Sequence, residues 1–102
     1  MATAPKFPPF EGFAWDERKR AANVSKHGVD FSAAATFNFE TAMVVSDDRN
    51  DYGEPREIGI GFIGTRLHAL VFTRRGPMIH IISLRKANDR EEKKYALYTE
   101  ET

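Results

Sequence analysis

The residues best suited to chemistry are concentrated between 56 and 94, where nine Lys and Arg stand against four Asp and Glu. The rest of the chain carries six against eleven, so a formal net charge of zero conceals a polarised molecule. Such polarity suits a polyanionic partner at the basic end. The competing reading is that these cations only solvate strand ends and a C-terminal helix. Within the stretch, Arg75 closes one expected strand and Arg85 closes the next, with Gly76-Pro77 turning between them. The two arginines therefore sit at opposite ends of a hairpin, roughly seven residues apart at about 3.3 Å each. They cannot clamp one phosphate, but they can hold successive phosphates of a single strand. Alternatively, each snorkels from a sheet edge to water. A strict period of two in the last strand puts Ile79, Ile81, Ser83 and Arg85 on one face and His80, Ile82 and Leu84 on the other.

Other chemistries lack support. Gly59-Ile60-Gly61-Phe62-Ile63-Gly64 matches G-x-G-x-x-G, but it lies inside an expected strand, opens no helix and has Leu84 where a ribose-binding acid would stand. Those glycines instead relieve crowding where a helix or ligand approaches the sheet. His27, His68 and His80 have no metal-ligand spacing, so no metal and no cofactor are expected. With no cysteine, thiol nucleophiles, disulfides and thiolate zinc sites are excluded. Neither Ser46 nor Ser83 sits in a nucleophile elbow. Asn23-Val24-Ser25 fits a glycosylation sequon but falls in mid-helix.

The elements that must position these residues are legible in outline. At 102 residues the chain can support one core without a disulfide or metal staple. Residues 1–9 are small and Pro-rich and read as a flexible arm, leaving 10–102 as a single domain. Asp16 predicts the cap of a helix over 17–27, ended by Gly28, with Lys26 and His27 in its last turn. A second short helix follows Ser32 as N-cap. A short apolar run at 42–46 and a polar loop at 47–55 lead to strands over 56–64, 67–75 and 78–85, joined as antiparallel hairpins. Asn88 caps a polar helix to about Thr99. The expectation is an α+β fold, with an antiparallel meander of three to four strands, two short N-terminal helices and a C-terminal helix. No apolar stretch approaches a membrane span and no signal core opens the chain, so no membrane contact and a cytoplasmic location are expected.

The order Trp15-Asp16-Glu17, Asn23, Lys26-His27-Gly28, Phe31, Gly53-Glu54-x-Arg56, Ile58-Gly59, Thr73-x-Arg75-Gly76, Ile81-Ile82-Ser83-x-Arg85-x-Ala87, Arg90-Glu91 and Tyr95 resembles the BrnT family of toxins. The resemblance covers about Phe10 to Tyr95. It implies a type II toxin with a RelE-like α+β fold that cleaves RNA and halts translation. It also implies a BrnA-type antitoxin partner carrying a ribbon–helix–helix DNA-binding module, with DNA contacted only through that partner. Phe72 and His80 depart from the family pattern, where His or Tyr and Arg respectively are common, and Leu84 stands where Ala is usual.

Carried over by position, the resemblance points to Arg56, Arg75 and Arg85, with Lys26 and His27 as further candidates; of these Arg85, Arg75 and His27 are the catalytic candidates, and Arg56 and Lys26, together with Ser83, Lys86 and Arg90, are the RNA-binding ones. Metal-free cleavage uses the neighbouring 2′-hydroxyl as nucleophile. The protein must then remove a proton, stabilise charge on phosphorus oxygens and protonate the leaving 5′-oxygen. A guanidinium suits the middle task, which makes Arg85 the first choice for the phosphate. His27, His80, Tyr95 and Lys86 are open candidates for proton transfer. His27 titrates in the useful range, but it also fits a structural role in its turn. The other reading of the whole is a non-catalytic nucleic-acid or protein-binding module on the same scaffold, serving a DNA-binding repressor.

Overall fold

A computed structural model describes residues 7–101. The elements run β1 (Gly12–Trp15), α1 (Glu17–His27), a 3-10 helix (Phe31–Thr36), β2 (Met43–Ser46), β3 (Glu57–Ile63), β4 (Arg66–Arg75), β5 (Met78–Lys86) and α2 (Asp89–Glu101). The strands form one sheet in the order β1-β5-β4-β3-β2. β2 to β5 are antiparallel neighbours, as expected, but β1 adds a fifth strand, parallel to β5 through Gly12↔Met78 to Trp15↔Ile81. The sheet is therefore mixed, which corrects the expected three- to four-stranded antiparallel meander. A four-residue strand with no alternation carries no local signal, and its parallel partner lies far along the chain.

Local chemistry explains the helix ends. Asp16 accepts hydrogen bonds from the backbone N–H groups of Arg18 and Lys19, satisfying donors that the first turn of α1 leaves free. Gly28 closes α1 at φ 72°, a conformation that costs a Cβ-bearing residue energy. The second N-terminal helix is a single 3-10 segment beginning one residue before the expected cap. Asp30, not Ser32, caps it by accepting from the Ser32 N–H at 3.0 Å. α2 starts with a reciprocal box: Asn88 Oδ1 accepts from Glu91 N at 2.9 Å, and Glu91 Oε1 accepts from Asn88 N at 3.0 Å.

Apolar surface is buried on both faces of the sheet. One face joins Phe31, Phe37, Leu70, Phe72, Ile79, Ile81 and Leu84 under the 3-10 helix; the other joins Ile60, Ala69 and Ala87 to Tyr95 of α2. Phe7, inside the stretch expected to be a loose arm, is only 8% exposed and stacks on Phe39 with centroids 4.3 Å apart. Burying such a ring contributes about 1.5–3 kcal/mol, enough to hold a short segment against its ordering entropy. The ordered body thus begins before Phe10, while residues 1–6 of the expected arm lie outside the described residues. Gly61 shows what the glycines of β3 serve: a Cβ there would lie 2.8 Å from Phe37 Cζ and 3.0 Å from Ala42 Cβ. Close packing excludes a side chain, as the strand context predicts. Among the described residues, no helix is long and apolar enough to cross a membrane.

Candidate functional site

The placement of the basic residues depends on one irregularity in β5. Val71 pairs with Ser83 and Phe72 with Ile81, so Ile82 is an extra residue in the ladder. The bulge shifts the alternation. Leu84 joins Ile79 and Ile81 in the core, and Arg85 falls on the other face with His80. This corrects the expectation that Ile79, Ile81, Ser83 and Arg85 share a face. Because paired residues share a face, Arg85 follows Ala69, Ser83 follows Val71, His80 follows Thr73, and Arg75 continues the same alternation along β4. α2 packs on this face at its Ile60–Ala69 end. Beyond it, Arg75 is exposed and His80, Ser83 and Arg85 are half-buried.

The flank of that face is built by α1, and Asn23 fixes it there. Its Nδ2 donates to Leu84 O at 2.7 Å and Val29 O at 2.9 Å, and its Oδ1 accepts from Leu84 N at 3.2 Å. The amide thus takes the place of a strand neighbour on the stretch of β5 beyond the end of β1. This orients α1 so that Lys19, Lys26 and His27 line a shallow cavity with Ile82 and Ser83. Ser83 Oγ donates to Asn23 Oδ1 at 3.4 Å, a long and weak bond. His27 is pushed below its ordinary value of 6.5 by burial first and then by the charges of Lys26 and Arg85.

Each sheet arginine meets a carboxylate. Arg85 grips Glu91 with two bonds, of 2.7 and 2.9 Å, and both side chains are mostly covered. At the opposite end Arg75 Nη2 donates to Glu54 Oε1 at 2.9 Å. Arg56 stacks on the Tyr52 ring at 3.8 Å, and its Nε is buried without a hydrogen-bond partner. Glu54 lies below the ordinary 4.5 because of its hydrogen bond from Arg75, with further help from Arg56 and His80. His80 is lowered by burial, then by Arg75 and Lys19, against the opposing pull of Glu54 and Asp16. Two basic ends therefore face one surface: Arg56, Arg75 and His80 at one, Arg85, His27 and Lys26 at the other.

Not every candidate is brought to this surface. Lys86 pairs with His68, one residue beyond Arg85, and so takes the opposite face. Arg90 is exposed in the first turn of α2. Tyr95 is 7% exposed and its hydroxyl donates to Thr41 O at 2.9 Å, so it serves packing. Of the four residues open as proton carriers, His27 and His80 are the ones placed on the surface. Glu54 and Glu91 were not singled out as site residues. The signal that pointed toward Glu54 was its place in Gly53-Glu54-x-Arg56, but its partner is 21 residues away. Among the described residues, no cluster of three or more His, Asp or Glu is arranged to hold a metal ion.

The paired acids have a measurable consequence. Asp30, Asp47, Glu54 and Glu91 all stay ionised below the usual carboxylate range. The backbone N–H of Ser32 holds Asp30, and Arg49 and Arg75 hold Asp47 and Glu54; at Glu91 burial opposes the shift, but the Arg85 and Asn88 hydrogen bonds outweigh it. On acidification the unfolded chain takes up these protons before the folded one does, so the stability they contribute is present above about pH 4.5 and is lost below it. His27 and His80, also lowered, act in the same direction from about pH 6.5 downward, since the unfolded chain protonates first. Urea midpoints measured from pH 8 to 3 should be flat to about 6.5, decline gently to 4.5 and then fall steeply. A midpoint that rose on acidification would contradict these pairings.

The comparisons with known proteins agree with this architecture. The model of a family described as the ribonuclease toxin BrnT of type II toxin–antitoxin systems matches residues 15–91. The 1.1 Å crystal structure of the Brucella abortus ribonuclease toxin BrnT is similar at a TM-score of 0.61 and 31% identity, over 76% of this chain and 97% of that one. No curated protein matches the chain.

Proposed function

The chain belongs to the BrnT family of ribonuclease toxins of type II toxin–antitoxin systems, and from that premise we propose that it is a metal-independent endoribonuclease whose RNA lies across the open face of β4 and β5. The observation that carries this reading is that the bulge at Ile82 sets Arg85 on the same face as Arg75 and His80, while Asn23 docks α1 so that His27 lines a cavity with Ser83. A single-stranded backbone laid along that face meets a guanidinium at each end and a histidine near each. Arg75 and Arg85 hold successive phosphates, with Arg56, Lys26 and Ser83 as further contacts. Arg90 extends the basic rim from α2; Lys86, on the other face of β5, is not part of it.

The chemistry follows from groups of the chain itself. Guanidiniums stabilise the charge that gathers on the non-bridging oxygens, and they do so at any working pH. His27 and His80, whose imidazoles can take up and release a proton, are the proton carriers available on this surface. A protein of this kind acts with an antitoxin. We take that partner to be a BrnA-type ribbon–helix–helix protein through which the pair meets operator DNA, with RNA as substrate, no cofactor and a cytoplasmic setting.

Induced expression tests the reading. Wild type should arrest growth and produce new cleavage products in total RNA, and Arg75→Ala should do neither while still folding and binding the antitoxin. Folded wild type that neither arrests growth nor cuts RNA, with or without ribosomes, would refute it and favour a binding module.

A further inference from the structure

We propose that Glu54 is the general base of the reaction, taking the 2′-hydroxyl proton at a phosphate held by Arg75 and Arg56, with His80 supplying the proton to the leaving oxygen. The proposal rests on the ribonuclease reading above and places the chemistry at the Arg75 end of the face. Loop 47–55 is pinned there: Thr73 Oγ1 donates to Pro55 O at 2.6 Å, and Thr73 pairs with His80 in the ladder. The residue before Pro55 is Glu54, whose Oε1 holds Arg75. Two residues on, Arg56 stacks on Tyr52 and makes no bond to a carboxylate among the described residues. One patch thus holds an acid, two guanidiniums and an imidazole, contributed by the loop, β4 and β5.

The two ends of the face differ in what their carboxylates have left to give. Glu91 spends both oxygens on Arg85 and one also on the Asn88 N–H, and its side chain is only 16% exposed. Glu54 uses Oε1 alone; Oε2 makes no hydrogen bond among the described residues, and a third of the side chain is exposed. An oxygen with both lone pairs unused is therefore present at the Arg75 end, whereas at the Arg85 end three of the four acceptor sites of a largely covered carboxylate are taken. The Arg75 hydrogen bond also keeps Glu54 ionised at neutral pH, and hence ready to accept.

The step balances without any further reactant. The 2′-hydroxyl proton passes to Glu54, the O2′–P bond forms and the P–O5′ bond breaks. O5′ then takes the proton of the His80 imidazolium. The products are a 2′,3′-cyclic phosphate and a 5′-hydroxyl, and exchange with water restores both side chains. The charges facing this pair are Arg75 and Arg56 around Glu54, and Arg75, Lys19, Glu54 and Asp16 around His80.

The test uses purified full-length protein on a messenger transcript, with and without ribosomes, and measures affinity with an uncleavable 2′-O-methyl RNA of the cut sequence. Glu54→Gln keeps an oxygen for Arg75 but cannot take a proton. It should cleave about 10²- to 10⁴-fold more slowly, bind within about threefold and lose the acid limb of the pH profile. Glu54→Asp should recover part of the rate, and His80→Asn should lose the alkaline limb. A positioning role alone would instead weaken binding and cleavage together, and that result, or wild-type cleavage by Glu54→Gln, overturns the proposal while the ribonuclease reading stands. Wild type that cuts nothing overturns both. If Glu54→Gln fails to fold, the wild-type profile decides: an acid limb below the ordinary carboxylate value of 4.5 supports Glu54, and one above it moves the base to a histidine.

Discussion

Asn23→Leu is expected to destabilise the protein by about 3–5 kcal/mol, a large share of the roughly 5–15 kcal/mol that holds a domain of this size. The substitution is close in volume, so the effect isolates hydrogen bonding. Leu84 N–H, Leu84 C=O and Val29 C=O lose the amide that satisfies them, and each buried group left unpaired costs about 1–3 kcal/mol. Function should fall with stability, because the same amide holds α1 against β5 and thereby sets Lys19, Lys26 and His27 at the edge of the face. Denaturant midpoints and RNA affinity measured on the variant at low temperature check both parts. A loss under about 1 kcal/mol would mean that packing alone docks α1. Ser83→Ala, which removes only the long 3.4 Å bond, is the matched control for stability and should shift the denaturant midpoint little.

The second large effect concerns Arg85, whose removal acts on both structure and RNA binding. Arg85→Ala strands the largely covered Glu91 carboxylate with one remaining donor, Asn88 N–H, and should cost about 1–3 kcal/mol. Activity at limiting RNA should drop by about 10- to 100-fold, the scale of losing one charge-assisted hydrogen bond to a neighbouring phosphate. The Arg85→Ala/Glu91→Ala double variant separates the two. It removes the stranded charge and should recover much of the stability, with a coupling energy readable from the cycle, but none of the cleavage. Glu91→Ala alone frees the guanidinium from its internal partner and should bind RNA at least as tightly as wild type. Recovery of cleavage in the double variant would assign Arg85 to structure alone.

Both experiments turn on features of unequal visibility in the sequence. α1 was legible because its signals are local: Asp16 and Gly28 bracket it, and both occupy the capping positions expected. The same holds for Asn88 before α2 and for the hairpins of β3, β4 and β5, whose bounds fall within about two residues of expectation. Family membership was legible for a related reason, since an ordered set of short motifs survives translation into one dimension. β1 was not, because four half-buried residues become a strand only when β5 is present to pair with them. Phe7 carries no local signal of order for the same reason: its burial depends on Phe39 and Phe72, which are distant in the chain.

The amino-acid sequence by itself determined the helix caps, the hairpin turns, the close-packed glycines of β3, the basic character of residues 56–94 and the family. Each rests on backbone preference, charge or residue order, properties that act over a few neighbours or need no geometry. Only the tertiary structure decided which side of the sheet the chemistry occupies. A period of two cannot see that Ile82 is accommodated as an extra residue, since that follows from how β5 packs Leu84 under the 3-10 helix while pairing with β4. It likewise decided that Glu54 meets Arg75 and that Asn23 substitutes for a strand, because hydrogen bonds between groups 21 and 61 residues apart exist only once the core has brought them together.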